Sequence, residues 1–409
     1  MKRNAGFRDG FGGDGDGGVV GSGGHFVMII DHDVPQDTVD GNVKIVVRPA
    51  SRRRRFHFPL FQRRSVSFHE ANAGKWLPAC FSGGIAPKVH RIHPTHLKIT
   101  LIHWLSVFCV AVNPALAQER FRFERPLMGT RFAVVCFVDD GEVAGRAASA
   151  AFELARKLDA AASDYLPDSE LSMLGSKPID TPIPLSDLLY GLLEHSRHLA
   201  EVTKGAFDPT LGPLTKLWRA SREQGRLPDA EDLRSARAAV GWRHFTLDPQ
   251  SHSITLHRKN MAFDLGGIAK GYAADLMLES LTAAGISRAM VAAGGDIRLG
   301  DPPPERAGWK VALQTFDLAR PDEILVLANA AVSTSGDLHQ SFEIDGVSYS
   351  HSLNPGTGLG LTRRIAATVV ADEAKLSDPL ATAACVLGQN GCKPLRSLPG
   401  VREVKPRLP

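Results

Sequence analysis

Residues Met261 to Asp275 read Met-Ala-Phe-Asp-Leu-Gly-Gly-Ile-Ala-Lys-Gly-Tyr-Ala-Ala-Asp, an apolar strand-like run that becomes a helix at two glycines, flanked by Asp264 and Lys270. Gly266 and Gly267 carry no Cβ, so the backbone can approach a ligand closely, and the N–H groups opening the next helix favour an anion. The segment reads as a phosphate site; packing alone would make it a tight strand-to-helix joint. It is not a P-loop, because the order Gly-x-x-x-x-Gly-Lys-Ser/Thr is absent, and no Gly-x-Gly-x-x-Gly follows a strand in this part of the chain.

The 409 residues are globular in composition, with enough length for one large or two modest domains, but charge is unevenly spread. Residues 1–117 hold 15 Lys+Arg against 8 Asp+Glu, a surplus of +7, which leaves −3 for the remainder of a chain whose total is +4. Residues 1–88 combine a Gly-rich run with Arg52-Arg53-Arg54-Arg55 and lack sustained periodicity, so they read as a disordered or untranslated extension. No aromatic-interleaved platform or helix-turn-helix pattern accompanies these arginines, which argues against nucleic-acid binding. Residues 89–117 have the form of a secretory signal: a basic start, the apolar run Ile99 to Val112, and Ala115-Leu116-Ala117 before Gln118. A signal works only from a chain start, so translation is expected to begin at Val89 or Leu97 and the product to be a soluble periplasmic protein, residues 118–409. His90, His93 and His96 have metal-like spacing but lie in the basic start, with Pro94 breaking a helix. Cys80 and Cys109 fall in the expected leader, and Cys136, Cys385 and Cys392 make no disulfide framework; buried free thiols fit their apolar neighbours.

From residue 118 onward strands and helices alternate. Arg131 to Val138 reads as a strand, followed by helices at Glu142 to Ala162, Ser186 to Val202, Asp229 to Val240 and Lys270 to Ala284. Phe245 to Leu247 with Ile254 to His257 reads as a hairpin. Further strands are expected at Ala289 to Ala292, Trp309 to Gln314, Ser341 to Ile344, Val347 to His351 and Ile365 to Val370, before a helix from Ser377 to Leu387. So many hairpin-linked strands favour an α+β fold with antiparallel sheet over a doubly wound one.

Asp378 and Thr382 stand four residues apart, on one helix face, where a carboxylate and a hydroxyl can meet one hard cation such as magnesium; an Asp at a helix start also serves as a cap. His351 ends a strand before a turn rich in Asn, Pro and Gly, a place for a general base or for an exposed histidine. Gly294-Gly295-Asp296 and Thr334-Ser335-Gly336-Asp337 read as polar turns offering N–H and hydroxyl groups to an anion. Ala206-Phe207-Asp208 enters a helix with an aromatic to stack on a flat ring and an acid to hydrogen-bond it. Tyr165, before Ser169-Glu170-Leu171-Ser172, can cover a ring or begin a turn.

In this order, from Met128-Gly129-Thr130 through Tyr165, Ala206 to Asp208, Asp264 to Gly271, Gly294 to Asp296, Ser333 to Asp337, His351 to Gly358 and Asp378 to Thr382, the motifs resemble the ApbE family of FAD:protein FMN transferases. The resemblance covers nearly all of residues 120–390. It implies a T-fold-like α+β protein that binds FAD and magnesium and transfers FMN to a threonine hydroxyl of a target, releasing AMP. It places Met128, Tyr165, Ala206, Phe207, Asp208, Asp264 and Lys270 around FAD. Gly267 through its backbone oxygen, Asp378 and Thr382 fall at the metal, and His351 at the base that accepts the acceptor proton. Implied acceptors are membrane-associated flavoprotein subunits of sodium-pumping NADH:quinone reductases, Rnf-type complexes or related reductases. The chain departs from the pattern at Asn354, where the family commonly has Asp in His-x-x-Asp-Pro-x-Thr-Gly, and in the exit Leu359-Gly360-Leu361. An FAD pyrophosphatase and a non-catalytic flavin carrier are the competing readings; Tyr165 argues against the first and the Asp378–Thr382 pair against the second.

Overall fold

The computed structural model describes residues 27–29, 118–313, 323–336 and 341–408. The expected leader and extension, the three histidines near residue 90, Cys80, Cys109 and Asp337 lie outside them, apart from the short strand β1 (Val27–Ile29).

The centre is an antiparallel seven-stranded sheet. Its strands are β2 (Glu119–Leu127), β3 (Thr130–Val138), β7 (Ala289–Ala293), β8 (Asp296–Leu299), β11 (Ala330–Gly336), β14 (Ala366–Ala371) and β15 (Val401–Arg407). They lie in the order β15-β14-β11-β8-β7-β3-β2. Between β3 and β7 come β4 (Ile183–Pro184), β5 (Phe245–Asp248) and β6 (Ser253–Leu256), which form a small sheet of their own. β9 (Trp309–Leu313) pairs with β10 (Glu323–Leu327) and β1, and β12 (Ser341–Ile344) with β13 (Val347–Ser350). The α+β architecture with antiparallel sheets expected from the sequence is therefore present.

Alternation along the central strands feeds two cores. Phe132, Val134 and Cys136 of β3 join one apolar cluster with Val291, Ala331, Ala367 and Val369, whereas Val135 joins Met290, Ile297, Val332 and Val370 in another. The second face is closed by Trp309, Val311 and Leu313 of β9. The first is covered by α1 (Gly141–Ala162), α6 (Ala269–Ala283) and α7 (Ala374–Gly391). α1 is started by Asp140, whose carboxylate accepts the N–H groups of Glu142 and Val143, and buries Ala144, Ala148, Ala151, Ala155 and Leu158 along one stripe. Alanines let α1 approach α6 closely, while full burial of a side chain such as Leu158 contributes about 2 kcal/mol. The remaining helices are α2 (Glu170–Leu174), α3 (Asp187–Val202), α4 (Gly212–Gln224) and α5 (Ala230–Ala239).

Two segments differ from expectation. Thr334 and Ser335 belong to β11 rather than to a turn: their hydroxyls face Thr368 (2.8 Å) and Thr382 (3.3 Å), and Ser333 meets Ser377 (2.8 Å). Helix α7 starts at Ala374 rather than Ser377, so Asp378 stands a full turn inside and is not its cap. The cap comes from α6, where the Asp275 carboxylate accepts the N–H groups of Ala374 (2.9 Å) and Lys375 (2.7 Å). All three described cysteines are free and buried.

Candidate functional site

Strand register gathers the motifs at one end of the central sheet. The β2–β3 turn holds Met128, at φ 48°, and the β7–β8 turn holds Gly294 beside Thr130. Asp296 opens β8 opposite Ser333, and β11 continues past it to Gly336, opposite Ala366 at the start of β14. The N-terminus of α6 reaches the same end, since Lys270 in its first turn contacts Asp296.

Lys270 Nζ donates to the Gly266 carbonyl (3.0 Å) and stands 3.3 Å from Asp296 Oδ2 and 3.6 Å from Asp378 Oδ2. Asp378 Oδ2 also accepts the Gly271 N–H at 3.2 Å. Both carboxylates are buried, at 1% exposure for Asp296 and 5% for Asp378. Burial pushes the Asp378 carboxyl up to about 7, repulsion from Asp296 adds to it, and Lys270 and the Gly271 N–H pull the other way. Burial alone would lower the Lys270 pKa; Asp378 and Asp296 outweigh it and hold the ammonium above the ordinary lysine range. One ammonium thus faces two buried carboxylates, a local surplus of negative charge.

Thr382, one turn beyond Asp378 on α7, faces Gly267: a Cβ built on Gly267 would stand 3.4 Å from Thr382 Oγ1 and 3.7 Å from the Phe207 ring. Those are ordinary contact distances, so the protein's own packing does not force glycine at 267. Tight packing is the reason for Gly271 instead, where a Cβ would lie 2.3 Å from the Ala374 carbonyl oxygen. Gly266 is exposed and Gly267 half-buried, so a ligand can lie against the backbone of this turn.

Asp264 ties this turn to α4. Its Oδ1 accepts the Gly266 N–H (2.9 Å) and its Oδ2 the Thr215 hydroxyl (2.7 Å). Tyr165 is 65% exposed, and the Arg219 guanidinium lies 4.1 Å from its ring centre while pairing with Asp164 at 2.7 Å. The ring is held on a cation–π support with one face left to solution. Asp208 is buried and braces its own loop. Its Oδ1 accepts the N–H (2.9 Å) and hydroxyl (2.6 Å) of Thr210, and its Oδ2 the Trp242 N–H (3.2 Å), so it organises the loop that seats Ala206 and Phe207. His351 follows β13, and its segment packs on α4, where Trp218 Nε1 donates to the Ser350 carbonyl at 3.2 Å. Helix α4 therefore carries both the Asp264 tether and a bond to the residue before His351.

The donors fit a magnesium ion. Asp296 Oδ2 is buried beside the Lys270 ammonium, and Asp378 and Thr382 add a hard carboxylate and a hydroxyl, with the Gly267 carbonyl in the adjoining turn. Among the described residues no three His, Cys, Asp or Glu side chains form a cage. Magnesium takes one or two carboxylates and completes its shell with water and substrate phosphate, a demand that Asp296, Asp378 and Thr382 can meet.

Sequence reasoning passed over two residues that hold α7. Asp275, buried and pushed up to about 6 by burial against the pull of two N–H groups and Arg298, closes the Met261–Asp275 stretch but signals no role by pattern. His195 of α3 is the other: its Nε2 lies 3.1 Å from the Lys375 carbonyl, so the ring donates there. Burial, with the Lys375 charge next, lowers its pKa from 6.5 to about 4. The unfolded chain then binds a proton that the folded one refuses, so stability is full above pH 6.5 and lost as pH falls towards 4. We expect His195→Gln to remove this drain, narrowing the fall in unfolding free energy between pH 7 and 4 by on the order of 2 kcal/mol in urea titrations. Identical pH profiles would refute it.

An antiparallel α+β domain that gathers a glycine-rich helix entry, a buried lysine and hard oxygen donors at one sheet end defines a class of protein suited to a phosphorylated ligand beside a cation. The chain belongs to the ApbE family, whose model matches residues 128–404. It is 30% identical over 277 residues to an FAD:protein FMN transferase of Vibrio cholerae, covering 66% of this chain and 82% of that protein. An FAD:protein FMN transferase of Haemophilus influenzae is 31% identical over 305 residues, 71% of this chain and 88% of that one. The apo crystal structure of the Pseudomonas stutzeri flavinyl transferase ApbE superposes with a TM-score of 0.63 at 30% identity, over 70% of this chain and 90% of that one.

Proposed function

We propose that this protein transfers FMN from FAD to a threonine hydroxyl of an acceptor protein, with magnesium, and releases AMP. Flavin transfer from FAD is the activity named for its relatives. The observation that carries the finer reading is the cluster of Lys270, Asp378, Asp296 and Thr382 beside the open Gly266–Gly267 turn.

Bound magnesium would neutralise the pyrophosphate of FAD and sharpen phosphorus as an electrophile. Asp378, Thr382 and the Gly267 carbonyl would hold it. Lys270 and the N–H groups opening α6 balance the remaining phosphate charge, and the missing Cβ atoms at 266 and 267 let the backbone reach the oxygens. Tyr165 covers the isoalloxazine ring, and the Ala206–Phe207 loop braced by Asp208 walls the pocket, with Met128 at its sheet end. His351 accepts the threonine proton as the hydroxyl oxygen bonds to the FMN phosphorus. The bond from that phosphorus to the bridging oxygen breaks, and AMP leaves with the electron pair. The acceptor is an exported, membrane-associated flavoprotein, and the leader at residues 89–117 takes the enzyme to the same periplasmic compartment; N-terminal sequencing of the secreted product tests that cleavage.

The direct test incubates the protein with FAD, magnesium and a threonine-containing acceptor peptide. A mass gain equal to FMN together with AMP supports transfer, whereas AMP without the gain supports hydrolysis. Tyr165→Ala is expected to raise the KM for FAD about tenfold, the loss of one stacking contact, with kcat nearly unchanged. A fall in kcat at constant KM would remove Tyr165 from ground-state binding.

A further inference from the structure

Pro379 sits inside α7, immediately after Asp378. A proline has no N–H, so the helical bond from residue 379 to the Lys375 carbonyl does not form, and the ring crowds that same carbonyl outward. A carbonyl partly withdrawn from water, as in half-buried Lys375, loses free energy when no donor meets it. The Lys375 carbonyl has a donor nonetheless, His195 Nε2 at 3.1 Å, reaching over from α3. We infer that His195 replaces the backbone donor that Pro379 lacks and thereby positions the turn of α7 that presents Asp378 and Thr382. The first turn of α7 is then held from outside at both kinds of group: its N–H groups by Asp275 of α6 and its freed carbonyl by His195 of α3.

His195 is a positioning residue, since it acts through α7. Around it stand Glu194, His198, Tyr272 and Lys375, which line a cavity of about 480 Å³ on the side of α7 facing α3. The bond to the Lys375 carbonyl takes the place of the rung from residue 379 to 375, the one next to the rung that Asp378 would make to residue 374, so its loss lets the Asp378 carboxylate swing relative to Lys270. This inference rests on the reading of Asp378 and Thr382 as magnesium ligands only for its consequence in metal affinity; the replacement of the missing donor stands apart from it.

The test is a double-mutant cycle in the full chain, His195→Leu with Pro379→Ala, plus His195→Gln, whose amide can donate from nearly the same position. Two readouts are taken: Mn2+ binding titrated by electron paramagnetic resonance as a probe for the hard cation, and the urea unfolding midpoint without metal. His195→Leu is expected to weaken Mn2+ binding about tenfold, the usual scale for a group that orients a ligand. It should also lower kcat with the KM for FAD unchanged, and His195→Gln should restore both. With alanine at 379 supplying its own N–H, His195→Leu should shift Mn2+ affinity by less than about twofold and leave the midpoint nearly unmoved. Equal losses in both backgrounds, or no loss in the proline background, overturn the inference. If the unaltered protein binds no Mn2+, the metal reading of Asp378 fails on its own, and the urea cycle still decides: coupling between the two positions supports the replaced donor, additivity overturns it.

Discussion

The Asp378→Ala protein is expected to lose magnesium-dependent flavin transfer by at least about 1,000-fold while remaining folded. The two halves of that expectation come from one charge count. Asp378 and Asp296 share a single ammonium, Lys270, at 3.6 Å and 3.3 Å. Removing Asp378 leaves Lys270 and Asp296 as a balanced pair, so the buried cluster loses its excess charge, and only the Gly271 N–H gives up an acceptor. The same deletion takes away the carboxylate that can hold a cation against the Gly266–Gly267 turn. Asp378→Asn separates charge from shape: it keeps the packing and should be nearly as inactive. Lys270→Ala, by contrast, leaves two buried carboxylates facing each other and should destabilise the fold as well as the reaction. The rate of AMP formation against magnesium concentration, beside a urea midpoint, reads both effects. Full turnover in Asp378→Ala would sink the metal assignment.

Gly271→Ala is expected to destabilise the protein by about 3 kcal/mol or more, the scale of severe overpacking. Ordinary helix propensity points the other way, since alanine is favoured over an interior helical glycine by about 1 kcal/mol. Steric contact decides the sign: a Cβ at 271 would lie 2.3 Å from the Ala374 carbonyl oxygen, 2.8 Å from its carbon and 2.9 Å from Asp378 Cβ. Two of these atoms are backbone, so relief requires α6 and α7 to separate. Separation also breaks the Gly271 N–H bond to Asp378, and activity should fall with stability. A urea midpoint above that of the unaltered protein would show that the helices are free to part without cost.

The sequence revealed those parts of this fold that are encoded locally. Helix α6 and the hairpin of β5 and β6 follow from periodicity and turn residues within one residue of where they lie. β11 was read in part as a turn because Ser333, Thr334 and Ser335 are polar; their hydroxyls are satisfied by Ser377, Thr368 and Thr382, which no local window contains. β15 escaped notice because Arg402, Lys405 and Arg407 give it the charged face of an edge strand. At the site, Asp264, Lys270, Asp378 and Thr382 were legible as chemistry-bearing types at telling spacings. Asp296 appeared only as a turn residue, and its place opposite Lys270 comes from the pairing of β8 with β11. Asp208 is expected at the ligand, and its bonds to Thr210 and Trp242 add the bracing of its loop, which composition does not reveal.

The strands of the central sheet stand in the order in which the chain encodes them, β2, β3, β7, β8, β11, β14 and β15, with none interleaved. Each can therefore join the edge left by its predecessor as the polypeptide is delivered, without reopening what has already paired. The reactive end is finished late in that sequence of events. The glycine turn and Lys270 arrive with α6 and Asp296 soon after on β8, but Asp378 and Thr382 follow more than a hundred residues beyond Lys270, on α7. A chain arrested after β11 would hold the glycine turn, Lys270 and Asp296 without Asp378 and Thr382, so the site is complete only with nearly the whole domain in place.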